Sequence, residues 1–246
     1  MRIAVISDIH ANLPALEAVL AVIDKDPPDE IWCLGDVVGY GAQPNECASI
    51  TAERADLCLA GNHDLAALDA LDISSFSPAA AEAAVWTQGQ LTGESRAFLE
   101  GLEASDETRE VALYHASPRD PIWEYVLWPE QAGACIAHQA SRVAMVGHSH
   151  VALCFRADDD GDADATQGAQ VAAGTTLDIS EGRWLLNPGS VGQPRDGDPR
   201  AAWLTLDTEE WTADYARVEY PVQKAADAII EAGLPEHLGR RLAVGQ

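Results

Sequence analysis

Seven side chains that could bind metal ions follow short apolar stretches of this sequence. They are carboxylates, an amide and imidazoles: Asp8, His10, Asp36, Asn62, His115, His148 and His150. A single residue of this kind more often caps a turn or a helix, but its recurrence after several apolar stretches favours one shared site. Because no cysteine belongs to the set, a manganese, iron, nickel, zinc or magnesium centre is favoured over a structural zinc cluster.

The number of candidate ligands bears on the number of ions. The pair Asp8 and His10 can direct both side chains toward one ion, and the pair His148 and His150 can serve one ion or two adjacent ones. Seven ligands exceed the needs of one ion, whereas two ions that share a bridging carboxylate would use all of them. Two ions about 3.5–4 Å apart stabilise both the attacking and the leaving oxygen in phosphoryl transfer. The pattern therefore indicates a two-metal site for phosphoester chemistry.

The elements that position the first of these residues alternate between strand and helix. Apolar strands are predicted at 2–7, 31–34 and 57–60, and the intervening helices begin near Asn12 and Pro44. Asparagine is a favoured N-cap residue, and proline is favoured in the first helical turn. This alternation is typical of a parallel sheet with right-handed crossovers, in which ligand sites form beyond the carboxyl ends of the strands.

The rest of the chain is predicted to continue the same domain. Residues 63–101 are helical and rich in alanine, which predicts a helical insertion over the site. Short strands separated by turns predict an antiparallel second-sheet part at 151–218, and closing helices are predicted within 221–246. The elements from residue 111 to 218 are predicted as a helix at 129–138 and strands at 111–114, 143–146, 151–156, 170–173, 183–186, 202–206 and 212–218.

Two further segments invite a functional interpretation. The acidic segment 158–164 is predicted to be a solvent-exposed hairpin turn, because its glycine and the missing closing glutamate do not fit an EF-hand loop. The segment 118–129 is rich in aromatic residues and precedes the predicted helix at 129–138. We interpret it as a candidate substrate-facing loop.

The composition limits the class of partner. The 246 residues carry 40 acidic and 15 basic side chains, for a net charge of −25, and 47% of them are hydrophobic. This allows a sizeable core and disfavours long nucleic acids and anionic membranes, although metal cations in a cleft would still admit a small phosphorylated substrate. Five scattered cysteines, no signal-peptide pattern and no apolar run of about 20 residues predict a cytoplasmic protein without disulfides or membrane spans. The pattern leaves the oligomeric state open.

Five short motifs occur in a characteristic order. They are Asp8-x-His10, Gly35-Asp36, Gly61-Asn62-His63-Asp64, His115 and Gly147-His148-Ser149-His150. Each motif alone is weak, but the ordered set resembles the calcineurin-like metallophosphoesterase superfamily, and within it the small bacterial and archaeal phosphodiesterases. The resemblance implies an α/β fold: a four-layer α/β/β/α sandwich of two mixed sheets, formed by a single domain over residues 1–246.

The resemblance also implies a role for each motif residue. Asp36 would bridge two divalent metal ions, manganese first among the candidates, and a metal-bridging hydroxide would attack phosphorus in line. His63 would act as the leaving-group acid, and Asp64 would cap its helix or support a ligand. The first metal would be held by Asp8, His10 and His150, and the second by Asn62, His115 and His148.

The sequence departs from the family pattern beside Asp36. Gly39 and Tyr40 stand where protein phosphatases and dinucleoside polyphosphate hydrolases carry an aspartate that orients the catalytic histidine and an arginine that holds phosphate. We predict that Arg195, in a glycine-rich turn, replaces the arginine as an anion clamp and that Tyr40 lines the pocket. The missing arginine favours a phosphodiester substrate. Hydrolysis of a phosphomonoester or nucleotide and a non-catalytic metal-binding scaffold are the alternatives.

Overall fold

The computed structural model describes residues 1–158 and 165–246. The predicted turn at 158–164 therefore lies, apart from its first residue, outside the described residues. In the described part of the chain the strands are β1 (Arg2–Ile6), β2 (Glu30–Cys33), β3 (Leu57–Cys58), β4 (Ser105–Asp106), β5 (Ala112–Tyr114), β6 (Val143–Val146), β7 (Ala152–Ala157), β8 (Gln167–Gln170), β9 (Thr176–Asp178), β10 (Arg183–Pro188), β11 (Ala201–Asp207) and β12 (Thr212–Val218).

The helices of the described residues are α1 (Leu13–Ile23), α2 (Pro44–Arg54), α3 (Asn62–Ala67), α4 (Pro78–Gln90), α5 (Gly93–Glu100), α6 (Pro129–His138), α7 (Val222–Glu231) and α8 (Glu236–Arg240). Short 3₁₀ turns cover Ile73–Ser75 and Arg241–Val244. The Asn12 side chain accepts a hydrogen bond from the Ala15 amide and caps α1, as predicted. None of these helices is long and apolar enough to cross a membrane.

The strands form two six-stranded mixed sheets. The first has the order β3-β2-β1-β11-β12-β9, in which β1, β2 and β3 are parallel and the other pairs are antiparallel. The second has the order β4-β5-β6-β10-β7-β8, in which β5, β6 and β10 are parallel. The loops that carry the candidate ligands thus follow the carboxyl ends of five parallel strands, β1, β2, β3, β5 and β6.

Alternation along β1 shows how the layers pack. Ile3 and Val5 point into the core between the two sheets, where they join Met145 of the second sheet. Ala4 and Ile6 point to the opposite face and pack beneath the helices α1 and α7. The second sheet is covered on its outer face by α6. Because successive residues of a strand face opposite sides, these clusters produce helix, sheet, sheet and helix layers in one domain. The predicted fold class is confirmed.

The structure corrects the predicted arrangement of residues 151–218. These strands do not form part of a second sheet alone, because β9, β11 and β12 belong to the first sheet and only β7, β8 and β10 belong to the second. Local alternation predicts that a segment is a strand but does not indicate which neighbour it pairs with. The strand predicted at 170–173 is found at Gln167–Gln170. The strands β4 and β9 were not predicted, because their sequences Ser-Asp and Thr-Leu-Asp are mostly polar.

Candidate metal centre

The loops that follow the strands hold the candidate ligands in an unusual backbone conformation. Five of the seven have a left-handed backbone, with positive φ angles of 54°, 49°, 52°, 62° and 59°. Such angles in residues other than glycine cost of order 1–3 kcal/mol each and persist only where the surrounding structure enforces them. They are concentrated at functional sites. Sequence alone carries no signal for this strain, which affects Asp8, His10, Asp36, His148 and His150.

Glycines in the motifs let the ligand loops approach one another. A Cβ at Gly61 would overlap the Oδ1 atom of Asp36, and a Cβ at Gly147 would overlap the Ser7 hydroxyl. A Cβ at Gly35 would lie 3.0 Å from Nδ1 of His115. These loops can pack closely only because the three positions have no side chain. At Gly61 the close contact alone requires glycine, because its φ angle is not in the left-handed region. This explains why glycine precedes Asp36, Asn62 and His148 in the sequence.

Replacing Gly61 by alanine is expected to disrupt the centre, because the added carbon must displace the Asp36 carboxylate. We expect metal affinity to fall by at least about 10–100-fold. Elemental analysis of the protein after gel filtration measures this loss. The control is Gly89→Ala in α4, where a Cβ meets no atom within 4 Å; it should keep its metal and gain up to about 1 kcal/mol of stability. Full metal content in Gly61→Ala would contradict the argument.

Four side chains form the first cluster of ligand atoms. Asp8, His10, Asp36 and His150 each offer one atom, and all four atoms lie within 4.8 Å of one another. The Nε2 atom of His10 lies 3.4 Å from Oδ2 of Asp36, and the Nε2 atom of His150 lies 3.4 Å from Oδ1 of Asp8. Ligands about 2.1 Å from one ion are separated by about 3.0–3.4 Å when their bonds subtend 90–110°. The cluster therefore has the dimensions of a coordination sphere.

Backbone carbonyls orient three of the imidazoles. The Nδ1 atoms of His10, His115 and His150 lie 3.1, 2.8 and 2.6 Å from carbonyl oxygens of Val38, Leu34 and Gln193, respectively. A carbonyl only accepts, so Nδ1 carries the proton and Nε2 presents a lone pair to the site.

The lone pairs of two of these rings converge. The Nε2 atoms of His10 and His150 are only 3.0 Å apart. With both Nδ1 atoms donating to carbonyls, neither Nε2 atom of the neutral rings has a proton to share, so the contact is repulsive by itself. A cation between the two nitrogens would convert this repulsion into coordination, which is the usual arrangement for imidazole ligands held by a backbone partner.

The second cluster adjoins the first and shares Asp36 with it. The ligand atoms of Asp36, His115 and His148 lie within 4.8 Å of one another. The Nε2 atom of His115 lies 3.7 Å from Oδ2 of Asp36 and 3.3 Å from the side-chain oxygen of Asn62. Asp36 is the one member of both clusters, as a bridging ligand must be. All seven predicted ligands are thus brought together.

Unpaired buried atoms provide a further test of the fit. Oδ1 of Asp8, Oδ2 of Asp36 and Nε2 of His148 are buried and have no hydrogen-bond partner within residues 1–158 and 165–246. Burying a polar atom without a partner costs about 1–3 kcal/mol, and more when it is charged. All three atoms point into the clusters, where a divalent cation would satisfy them. The donors fit a divalent metal centre.

Burial opposes charge on these groups in the metal-free chain. It raises the pKa of Asp8 to about 7 and that of Asp36 well above its usual range. Burial also lowers the pKa of His10, His148 and His150 well below the usual value. The imidazoles are therefore already in the neutral form that binds metal, whereas the carboxylates need a nearby cation to remain ionised.

His63 lies beside the first cluster and is held by aromatic packing. Its ring centroid is 4.3 Å from that of Tyr40, 4.8 Å from that of Phe76 and 4.9 Å from that of His10. A Cβ at Gly39 would be 2.6 Å from Nδ1 of His63, so the glycine is required for the ring to fit. The two residues that depart from the family pattern therefore both contact this imidazole. Ring packing thus holds this imidazole in place.

The protonation of His63 depends on the charges around it. Its Nδ1 atom is buried without a hydrogen-bond partner in the described chain. Burial, followed by the nearby Arg195, lowers the pKa of this imidazole well below the usual value. A phosphate anion next to the ring would act in the opposite direction, because a negative charge favours the imidazolium form.

Asp64 connects two of the loops that carry ligands. One carboxylate oxygen accepts a hydrogen bond of 2.9 Å from the Gly61 amide, and the other accepts one of 3.0 Å from the Val38 amide. The first bond caps α3, and the second fixes the loop that follows Asp36. The side chain is fully buried and its oxygens are occupied by amides. Asp64 thus supports the site without belonging to either cluster, as predicted.

Arg195 and Tyr40 lie together at the edge of the centre. A guanidinium nitrogen of Arg195 donates to the hydroxyl of Tyr40 at 3.4 Å and to Oε1 of Gln193 at 3.0 Å. The Nε atom of Arg195 is buried without a partner in the residues described here. The Arg195 amide donates to the carbonyl of His150 at 3.1 Å, and the Tyr40 ring lies 4.8 Å from that of His10, so this pair adjoins the first cluster. An arginine in this position can bind an anion.

Aromatic side chains from the 118–129 segment border the centre. The ring of Tyr125 lies 4.1 Å from that of His148, and Trp123 packs edge-on against Phe76 at 5.4 Å. Trp128, in contrast, points away into solvent and is 65% exposed. Part of this segment therefore faces the site, and the stacking of Tyr125 on a candidate ligand is a contact that sequence reasoning missed.

The class of protein follows from the fold and from this arrangement of carboxylates and imidazoles. The calcineurin-like phosphoesterase superfamily domain matches residues 1–210. The chain belongs to the calcineurin-like phosphoesterase superfamily, which confirms the resemblance predicted from the five motifs.

Three proteins are similar to this chain over nearly its whole length. "Uncharacterized protein MJ0912" of Methanocaldococcus jannaschii is 39% identical over 249 residues, which cover 99% of this chain and 98% of that protein. The crystal structure of a metallophosphoesterase from Sphaerobacter thermophilus is 41% identical, with a TM-score of 0.90, and covers 100% of this chain and 99% of that one. The crystal structure of hypothetical protein PH1004 from Pyrococcus horikoshii OT3 is 20% identical and shares the fold, with a TM-score of 0.76 and coverage of 100% and 98%.

Proposed function

We propose that this protein is a two-metal phosphodiesterase that hydrolyses a small phosphorylated compound. The observation that carries the proposal is the pair of adjacent ligand clusters that share Asp36. The unpaired atoms that two cations would satisfy are Oδ2 of Asp36, Oδ1 of Asp8 and Nε2 of His148. Asp8, His10 and His150 would hold the first cation together with Asp36, and Asn62, His115 and His148 would hold the second.

When bound, two divalent cations supply a nucleophile from water and stabilise the developing charge on the phosphoryl oxygens. Manganese is the first candidate, and iron, nickel, zinc and magnesium suit the same ligands. The residues of the chain then have three tasks. Arg195 binds a non-bridging phosphate oxygen, Tyr40 forms the wall of the pocket, and His63 gives a proton to the leaving-group oxygen from Nε2. The anionic phosphate favours the protonated ring that this step needs.

A phosphodiester is favoured over a phosphomonoester on charge. A diester carries one negative charge at neutral pH, whereas a monoester carries up to two. The arginine that holds phosphate in related phosphatases is replaced by Tyr40, and Arg195 is the guanidinium that bonds to that tyrosine. The chain as a whole carries a net charge of −25. The same charge disfavours long nucleic acid as a substrate.

The experiment that tests the proposal compares two chromogenic esters. Protein stripped with a chelator and refilled with Mn²⁺ is assayed on bis(p-nitrophenyl) phosphate and on p-nitrophenyl phosphate. We expect metal-dependent turnover with a higher kcat/KM for the diester. A preference for the monoester would favour the phosphomonoesterase alternative. No turnover of either ester by protein that demonstrably binds two Mn²⁺ would favour the non-catalytic scaffold.

Replacing Arg195 by glutamine is expected to lower kcat/KM for the diester by about 10–100-fold, because a charge-assisted hydrogen bond to phosphate is lost. Metal content should stay unchanged, since this side chain is not a ligand. The matched control is Arg200→Gln, whose side chain pairs with Asp198 instead. Steady-state kinetics of both variants provide the comparison. Equal activity of Arg195→Gln and the unmodified protein would remove Arg195 from the site.

A further inference from the structure

A second arginine lies close to the pair of Arg195 and Tyr40. The guanidinium carbon of Arg241 is 5.9 Å from the centre of the Tyr40 ring, and that of Arg195 is 5.8 Å from it. Both distances are within the range of cation–π contacts. Arg241 belongs to the 3₁₀ turn near the end of the described chain, far in sequence from every family motif. No motif in the sequence drew attention to it.

The fold holds Arg241 in this position. The neighbouring Leu242 is 2% exposed and packs into the core beneath the helices. The carbonyl of Gly245 accepts a hydrogen bond of 3.0 Å from the amide of Gly197, in the loop that also carries Arg195. Core packing on one side and a backbone hydrogen bond on the other therefore bring the two arginines to the same tyrosine.

Arg241 also borders the mouth of the centre. Arg241 contacts the ring of Tyr40, which lies 4.3 Å from the ring of His63 and 4.8 Å from that of His10. Burial and the nearby Arg195 lower the pKa of the Arg241 guanidinium. Arg241 thus contacts Tyr40, and the Tyr40 ring in turn contacts that of His10 in the first cluster.

The two arginines lack the partners that their neighbours have. Arg200, Arg217 and Arg240 form ion pairs with nearby carboxylates. Neither Arg195 nor Arg241 pairs with a side-chain carboxylate of the described residues. Arg195 donates to Tyr40 and Gln193, and Nε of Arg241 donates to the backbone oxygen of Gln246. The terminal nitrogens of Arg241 make no hydrogen bond to a described residue. In a chain with 40 acidic side chains, two adjacent guanidinium groups without carboxylates repel each other. An anionic ligand would relieve that repulsion and use the donors of both groups.

We propose that Arg241 and Arg195 form a second anion subsite beside the metal centre, and that the natural substrate is a phosphoester bearing a second anionic group such as another phosphate. The inference rests on the proposed function for the identity of the ligand. The scissile phosphate lies at the metal clusters and takes one donor of Arg195, and the second anion lies beside Tyr40, where it takes the remaining donors of Arg195 and those of Arg241. Arg241 then determines specificity and takes no part in the chemical step.

The test uses two substrates that share one scissile bond. They are the p-nitrophenyl ester of thymidine 5′-phosphate and the same ester carrying an additional 3′-phosphate. The readout is the ratio of the two kcat/KM values on Mn²⁺-loaded protein. We expect the unmodified protein to prefer the ester with two phosphates, and Arg241→Gln to lower that ratio by about 10-fold or more. Arg241→Lys, which keeps the charge, should restore most of it.

The control is Arg240→Gln, which removes an adjacent charge that pairs with Glu236 on the surface. Its ratio should equal that of the unmodified protein, which separates a local contact from a change in net charge. An unmodified protein without preference, or a ratio unaffected by Arg241→Gln, would overturn the proposal. An equal fall in Arg240→Gln would also overturn it, because the effect would then be one of overall charge.

A binding measurement keeps this test separate from that of the proposed function. Calorimetry measures the affinity of Mn²⁺-loaded protein for thymidine 3′,5′-bisphosphate and for thymidine 5′-monophosphate, which requires no turnover. The bisphosphate should bind more tightly, and Arg241→Gln should reduce its advantage by about 10-fold. If neither ester is hydrolysed but this difference is observed, the catalytic proposal fails and the anion subsite stands. Equal affinities for the two nucleotides would overturn the subsite.

Discussion

Replacing Asp36 by asparagine is expected to lower kcat/KM for bis(p-nitrophenyl) phosphate by about 10³-fold or more. The carboxylate belongs to both ligand clusters, and its loss removes the shared ligand that holds two cations in one centre. The several kcal/mol with which such cations stabilise the transition state would be lost with it. Asparagine has nearly the same shape, and its oxygen can still accept the 2.9 Å hydrogen bond from the His63 amide. The loss should therefore arise from coordination and leave the fold intact.

The same variant should affect stability in opposite ways with and without metal. Burial raises the pKa of Asp36 well above its usual range. At neutral pH this carboxyl group is ionised in the unfolded chain, whereas burial opposes its ionisation in the folded metal-free chain, so Asp36 lowers the free energy of unfolding. Asparagine removes that cost. Metal-free Asp36→Asn should thus unfold at the same temperature as the unmodified protein or at a higher one, while the stabilisation on adding Mn²⁺ is lost.

Thermal unfolding with and without Mn²⁺ measures both effects, and kinetics measure the activity. The control is Asp26→Asn, which removes a carboxylate that is 79% exposed and pairs with Arg2. It should retain activity and metal-dependent stabilisation. Retention of both properties in Asp36→Asn would show that Asp36 is not the bridging ligand.

Replacing His63 by alanine is expected to reduce kcat by about 10²–10⁴-fold without loss of metal. The imidazole belongs to neither ligand cluster, and its contacts are with the rings of Tyr40, Phe76 and His10. The loss should depend on the leaving group. p-Nitrophenolate departs readily without protonation, whereas the more basic phenolate depends more strongly on a proton donor. A larger deficit on diphenyl phosphate than on bis(p-nitrophenyl) phosphate would identify His63 as the acid.

The control for this variant is His138→Ala, at the exposed end of α6 and remote from the clusters. It should be as active as the unmodified protein on both esters. An equal loss on the two esters in His63→Ala would instead indicate that the ring only shapes the pocket. A fall in metal content would show that it supports the ligands.

Local signals explain why much of the fold could be predicted from the sequence. The bounds of α6, β6 and β12 agree with the prediction to the residue, and α2 begins at the predicted Pro44, since prolines, caps and apolar periodicity mark the ends of such elements. β9 lacked such a signal, because it has three residues and a largely exposed surface. The pairing of β11 with β1 also could not be predicted, because sheet order depends on contacts between segments that are far apart in sequence.

The candidate site, too, could be predicted only in part from the sequence. The ligand types and their order were readable because each follows a strand whose carboxyl end must reach the same edge. The packing around His63 could not be predicted. Its ring is held by Gly39, Tyr40 and Phe76, and these residues meet only when the loops are folded. Arg241 was missed for a related reason, since it reaches Tyr40 from the opposite end of the chain.

The central claim is that two cations at the clusters sharing Asp36 make this protein a phosphodiesterase. The most direct test is a titration of Mn²⁺ into chelator-stripped protein, with the initial rate of bis(p-nitrophenyl) phosphate hydrolysis recorded at each addition. We expect no turnover without metal and a rate that rises until about two equivalents are bound. Undiminished turnover by the stripped protein, or a maximal rate at one equivalent, would contradict the account.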